Sequence, residues 1–209
     1  MNENNILPTI LAGGKSSIFG KNKCLAKLGS KSLLEHTLFK IKKNYSEILI
    51  VSNKKMTKVK KNNIKIIKDC MPGQLGPLVG VLSAMKWVKK NKKKYNWIAT
   101  FPCDTPFFDE QIFDHLTKKS KKNSKKLFFF KSREKRHNIF GLWSLKLINT
   151  LEKDIKKKHR KVEIWANKIG LELIEIDKKK SDTFLNINTK NDFKKAKSKL
   201  KKLKNDFIR

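Results

Sequence analysis

Carboxylates and arginine are both scarce in this sequence: 18 Asp and Glu face 51 Lys and Arg, for a net charge of +33. Arginine occurs only at Arg133, Arg136, Arg160 and Arg209. Specific recognition of nucleic acid leans on the arginine fork for phosphates and guanine edges, and on a basic stripe among aromatics. Here the lysines are scattered over every segment, so the charge reads as a compositional bias that gives only non-specific polyanion binding at low salt. A non-catalytic nucleic-acid-binding protein remains the reading from a different class, and it requires a lysine stripe that the sequence does not display. Cysteine is sparse too. Cys24, Cys70 and Cys103 are odd in number, widely spaced and lack a C-x-x-C pair, which predicts neither a zinc site nor a disulfide framework and points to a reduced, cytoplasmic protein. Long apolar runs are missing: Met1–Asn5 is polar and Ile6–Leu11 is too short for a signal or a membrane span, so no export or anchoring is expected.

At 209 residues the chain has room for one sizeable core, and the expectation is a single domain over 1–209. Apolar runs of strand length at Ile6–Leu11, Ile48–Val51, Ile64–Ile67, Trp97–Phe101, Leu127–Phe130 and Leu171–Ile176 alternate with helical patterns. Leu33, Leu34, Leu38 and Ile41 share one helical face, as do Leu78, Val81, Leu82, Met85 and Val88. Asp192–Leu203 is predicted as a terminal amphipathic helix with Phe193, Ala196, Leu200 and Leu203 inward, and Lys118–Lys126 as a solvated helix end and loop. The alternation predicts an α/β fold, a Rossmann-like, mainly parallel sheet with helices on both faces.

In such sheets ligands sit beyond the carboxyl ends of the strands. The first strand runs into Gly13-Gly14-Lys15-Ser16-Ser17-Ile18-Phe19-Gly20-Lys21-Asn22-Lys23, a glycine-rich loop closing on a lysine. It matches neither G-x-x-x-x-G-K-[ST] nor G-x-G-x-x-G. Its backbone N–H groups are suited to a triphosphate or a base edge, and Lys23 adds a mobile charge. Asn53 follows the second strand, either as a turn residue or as a hydrogen-bonding group for a base or ribose. Asp69 follows the third, touching ligand or metal, or bracing the Gly73–Gly76 loop. Asp104, between Pro102 and Pro106 after the fourth, fits a Mg²⁺ bridging phosphate oxygens and equally an Asx turn or helix cap near Asp109.

Taken together, Leu11-Ala12-Gly13-Gly14 with Gly20 and Lys23, Asp69 before Gly76-Pro77-Leu78-x-Gly80, and Pro102-Cys103-Asp104-Thr105-Pro106 resemble the molybdenum cofactor guanylyltransferase family. The likeness continues through His137-Asn138-Ile139-Phe140-Gly141-Leu142-Trp143, Arg160-Lys161-Val162 and Phe184-Leu185-Asn186-Ile187-Asn188-Thr189, nearly end to end and in order. The resemblance implies a nucleotidyltransferase that joins GMP from GTP to molybdenum-bound molybdopterin and releases pyrophosphate. It implies that Leu11, Ala12, Gly13, Lys23, Asn53, Asp69 and Asp104 bind GTP, that Asp104 holds Mg²⁺, and that Lys23 and Asp104 carry the catalysis. Asn186, Asn188, His137 and Arg160 fall on the pterin side by the same likeness. Molybdenum-insertion proteins and apo-molybdoenzymes are the implied protein partners, with no specific nucleic acid and no membrane.

The chain departs from the family pattern at Ile18, where an arginine is usual, at Asn22, where an aspartate is usual, and at Asn138 in place of proline. A related activity, a molybdopterin cytidylyltransferase or a nucleotide-sugar-forming enzyme, is the nearest alternative. Chemically, a phosphate monoester with a second pKa near ~6 is mostly dianionic at neutral pH, so the nucleophile needs no general base. Positioning and charge stabilisation are what the site must supply.

Overall fold

The computed structural model describes residues 5–13, 23–56, 59, 62–73, 75–122, 125–176 and 183–206. In chain order, β1 (Ile6–Leu11) is followed by a 3-10 turn at Lys23–Leu25, β2 (Lys27–Leu28), β3 (Lys31–Ser32), α1 (Leu33–Lys42), β4 (Ile48–Val51) and β5 (Ile64–Ile67). Then come α2 (Pro77–Lys90), β6 (Trp97–Pro102), α3 (Gln111–Lys121), β7 (Leu127–Ser132), β8 (Lys135–Ser144), α4 (Ile148–Lys156), α5 (Val162–Ile169), β9 (Glu172–Ile176) and α6 (Lys190–Asp206).

The central sheet has seven strands in the order β5-β4-β1-β6-β8-β7-β9. Only β8 runs against the rest, pairing antiparallel with both β6 and β7. The mainly parallel α/β architecture expected from the alternation is therefore what the chain adopts. Continuous apolar strands with both faces covered explain it: Ile6 and Ile10 of β1 pack into one core, Leu7 into the other. Ile48 and Ile50 of β4 split from Leu49 and Val51 in the same way, as side-chain alternation requires. Pro8 interrupts the central strand without an N–H to give. It aligns with Ala99 of β6, and the register with β4 begins one residue later at Thr9.

On one face α1 buries Leu34, Leu38 and Ile41, and its start is fixed by a capping box in which Ser32 and Glu35 bond each other's backbone N–H. The other face is covered by α2, which buries Leu78, Val79, Val81, Leu82, Met85 and Val88, and by α4 and α5. Each such leucine or valine contributes about 1.5–3 kcal/mol by leaving water. A third cluster, of Leu28, Leu33, Ile187 and Ala196, seats α6 over the β2–β3 hairpin.

Some expectations need correction. Leu203 is 39% exposed, so the inward stripe of α6 stops at Ala196 and Leu200. More consequential, Cys24 and Cys103 form a disulfide with Cα atoms 5.7 Å apart, leaving Cys70 free. Their separation of 79 residues hides this in the sequence; the fold joins them because the turn after the glycine loop lies against the end of β6. Among the described residues no helix is long and apolar enough to cross a membrane.

Candidate functional site

Because β1, β4, β5 and β6 are parallel, the loops after them open on one edge of the sheet, and a cavity of about 300 Å³ lies there. Its walls include Leu11, Ala12, Gly13, Lys23, Asp69, Asp104, His137 and Asn186. Thus eight of the residues singled out by sequence meet around one space. Ile18 and Asn22 fall outside the described residues.

Ala12 is anchored where its N–H donates to the Val51 carbonyl at 2.9 Å, which extends the β1–β4 ladder by one bond. Beyond it, Gly13 is exposed, and an added Cβ would meet nothing within 4 Å among the described residues. Also lining the cavity, Gly76, with φ +88°, turns the chain into α2, and Pro77 occupies the first helical position. The N-terminus of α2 therefore faces the cavity, offering backbone donors and the positive end of the helix dipole. Gly80 permits this approach: a Cβ there would come 3.1 Å from Leu11 Cδ2.

Lys23 is almost entirely buried, and its ammonium donates to Asp104 Oδ2 at 2.7 Å and to Asn188 Oδ1 at 2.6 Å. Asp104 Oδ1 accepts from the Thr105 hydroxyl at 3.3 Å. The Asp104 carbonyl accepts from Ile187 N–H at 2.9 Å, which ties the Asn186–Asn188 segment to the end of β6. Asn188 is held in turn because its N–H and that of Thr189 both donate to Asp192, while the Thr189 hydroxyl accepts from Asp192 N–H. This reciprocal cap starts α6.

Asn53 stands behind Asp69 instead of lining the cavity. Its amide donates to Asp69 Oδ2 at 2.7 Å, and its Oδ1 accepts from Asp69 N–H at 2.9 Å. Burial raises the Asp69 carboxyl above the usual range, against the opposing pull of that Asn53 bond. Asn188 likewise reaches the site through Lys23. Arg160 is exposed and does not line the cavity, although its carbonyl lies 3.9 Å from where a Gly76 Cβ would be.

His137 is stacked on Phe184 with ring centroids 4.0 Å apart, and its Nε2 bonds the Ser132 hydroxyl at 2.7 Å. Burial, with Lys135 adding to it, pushes its pKa down to about 4, so the ring is neutral at pH 7. Sequence reasoning missed Lys135 and Arg136, which also face the cavity. Arg136 is fixed by Asn138 and Asn167 and pairs with Glu163. The signal was a basic dipeptide directly before His137, lost among so many lysines. Asp154 was missed as well: buried, it accepts from Trp165 Nε1 and Lys168 Nζ and braces the turn that carries Arg160.

Among the described residues no group of three or more His, Cys, Asp or Glu side chains could hold a metal alone. The donor set does fit Mg²⁺ bound jointly with a substrate, since that ion takes one or two protein carboxylates and completes its octahedron with phosphate and water. Asp104 offers such an oxygen on the cavity wall.

A mainly parallel sheet with Ala12 and Gly13, a lysine–aspartate pair and a helix N-terminus meeting at its carboxyl edge is an α/β architecture of the nucleotidyltransferase type. Residues 9–168 match the MobA-like NTP transferase domain, and the chain belongs to that family. A molybdenum cofactor guanylyltransferase of Haemophilus influenzae is 32% identical over 193 residues, covering 91% of this chain and 97% of the relative. One from Nitrobacter hamburgensis is 25% identical over 189 residues, 90% of each. The solved structure of molybdopterin-guanine dinucleotide biosynthesis protein A from Archaeoglobus fulgidus superposes with a TM-score of 0.77 at 20% identity, covering 93% of this chain and 98% of that one, which shows the shared fold.

Proposed function

We infer that this chain is a nucleotidyltransferase, its whole length one domain, that transfers GMP from GTP to the terminal phosphate of molybdenum-bound molybdopterin. The observation that carries the reading is the Lys23–Asp104 pair on the wall of a cavity that Ala12, Gly13 and the start of α2 also line, in a chain related over nine-tenths of its length to molybdenum cofactor guanylyltransferases. The pterin's phosphate oxygen attacks the α-phosphorus of GTP, the bond from that phosphorus to the bridging oxygen breaks, and pyrophosphate leaves. Lys23 passes from Asp104 to the phosphate chain and offsets the charge that grows on the leaving group. The backbone at Ala12 and Gly13 positions the nucleotide, and the N-terminus of α2 faces its phosphates. A Mg²⁺ held by Asp104 and, with Asn53 bracing it, Asp69 would polarise the α-phosphate when bound. His137, neutral, presents no competing charge; with Asn186, and with Arg160 outside the cavity beside Gly76, it forms the pterin side.

A thermal-shift titration with GTP, CTP and ATP, each with and without Mg²⁺, tests this on the wild type and on Asp104→Ala. Selective stabilisation by Mg·GTP, lost in the variant, is expected; a ligand at 100 times its Kd adds about 2.7 kcal/mol. Preference for CTP would move the assignment to a cytidylyltransferase, and indifference to all three would overturn it.

A further inference from the structure

We propose that Cys24 and Cys103 form a reversible thiol–disulfide pair whose oxidation holds the Lys23–Asp104 pair shut against Mg²⁺ and nucleotide phosphate, an inference that rests on the nucleotide-binding reading above. Each cysteine is the chain neighbour of one member of that pair, and the Cα atoms of the two cysteines are 5.7 Å apart. The covalent bond and the ion pair therefore span the same gap, between the turn at Lys23–Leu25 and the end of β6.

Both cysteines are nearly buried, at 4% and 5% exposure, yet both lie on the cavity wall, so a small reagent entering the nucleotide site reaches them. Each redox state also has a place for the Cys24 sulfur. It stands 3.7 Å from the Ala12 carbonyl, an acceptor that would be at hand for the S–H of the reduced form.

The ligand must break into the Lys23–Asp104 contact. At 2.7 Å ammonium and carboxylate touch, and Asn188 holds the ammonium at 2.6 Å from the other side. Phosphate must replace the carboxylate on Lys23, and the cation must take the carboxylate, so the neighbouring backbones have to part by the width of what comes between. A disulfide restricts its Cα atoms to about 4.4–6.8 Å and opposes that movement, whereas two thiols do not.

The oxidant is a low-molecular-weight disulfide. Two protein S–H bonds and one small-molecule S–S bond give one protein S–S bond and two small thiols, through a mixed disulfide on one of the two cysteines, so protons and electrons balance. By linkage the coupling is reciprocal: bound Mg·GTP must protect the thiols from oxidation by the same factor by which oxidation weakens Mg·GTP.

The test uses the full chain equilibrated in oxidised glutathione or in dithiothreitol, with peptide mapping of the cysteines and calorimetric titration of Mg·GTP. The expected results are a 24–103 bond only after oxidation, Mg·GTP binding weakened about tenfold or more in that state, and recovery in dithiothreitol. Cys24→Ala and Cys103→Ala should each give one affinity in both buffers, while Cys70→Ala should respond like the wild type. Equal affinity in both states with the 24–103 bond mapped, or failure of that bond to form under oxidant, overturns this inference and leaves the guanylyltransferase reading standing. Absence of Mg·GTP binding even in the reduced chain overturns both.

Discussion

Lys23 and Asp104 are 81 positions apart in the chain, and their charged ends meet at 2.7 Å on the wall of the cavity. The pair is unequal: the Lys23 side chain is 6% exposed and that of Asp104 is 22% exposed. Water reaches the carboxylate and scarcely the ammonium, so a ligand arriving from the cavity meets Asp104 first. Lys23→Met keeps the buried stem and removes the charge. GMP transfer should fall by about 10²–10³ in kcat, the cost of losing one preorganised charge-stabilising group. The melting temperature, measured alongside, should move little because the orphaned carboxylate is hydrated. A Lys23→Met enzyme with undiminished kcat would remove Lys23 from the chemistry.

Gly13 and Gly141 should respond in opposite ways to the same substitution. At Gly141 an added Cβ would lie 2.4 Å from Phe129 Cδ1 and 2.5 Å from the Phe128 carbonyl oxygen, at the register shift between β7 and β8. Backbone cannot yield as a flexible side chain does, so Gly141→Ala should destabilise by about 1–3 kcal/mol or more. Around Gly13 an added Cβ would meet none of the described residues, and Gly13→Ala should unfold at the wild-type denaturant midpoint while binding Mg·GTP more weakly, because the methyl occupies room the nucleotide needs. Chemical denaturation and calorimetry on the two variants separate the effects.

Where the sequence is legible, the reason is periodicity. β1, β4 and β5 begin and end at the residues marked by apolar runs; β4 is buried throughout and leaves no polar position inside it, whereas β5, at the sheet edge, keeps its bounds with Lys65 exposed. Asp69 and Asp104 stand out because each follows an apolar strand, and Lys23 because it closes the glycine-rich loop after β1. The cysteine pairing was not legible, since nothing local tells Cys24 that the end of β6 will lie beside it. The resemblance puts Asn53 and Asn188 on the ligands, whereas in the structure they bond Asp69 and Lys23; a sequence pattern does not separate a residue at the cavity from one that holds its neighbour. The segment that forms β8 stands out only through family likeness and its antiparallel direction not at all, and Lys135 and Arg136 are masked by the lysine background.

His137 gives the protein an acid-sensitive wall. Its pKa is lowered from 6.5 to about 4, chiefly by burial and further by Lys135, so between those values the unfolded chain binds a proton that the folded one refuses. Stability therefore falls as pH drops from 6.5 toward 4, and the loss from this residue levels off below. His137→Phe keeps an aromatic ring against Phe184 and removes the titration. The melting temperature of the variant should show a shallower decline than the wild type across that window; parallel curves would mean that His137 is not the group responsible.

Asp154 tests whether the turn bearing Arg160 is positioned from within the fold. Burial alone would raise its carboxyl, but Lys168 and Trp165, with His159 adding charge, hold it below the usual range. The His159 N–H also donates to the Asp154 carbonyl, so one residue ties α4, the turn and α5 together. Asp154→Ala leaves the buried Trp165 N–H without an acceptor, a loss of about 1–3 kcal/mol. The lowered pKa makes the contribution of this carboxylate fully present above its unfolded value of 3.8 and lost as pH falls through the lower folded one, so the deficit of the variant should be constant near neutrality and shrink only in strong acid. Arg160 starts just ahead of α5 and Gly76 starts α2, and the two meet at the Arg160 carbonyl, so loosening the turn should also raise KM for the pterin substrate while leaving Mg·GTP affinity unchanged. Asp154→Ala with both constants intact would show that the turn keeps its place without this carboxylate, and that Arg160 is oriented by the substrate alone.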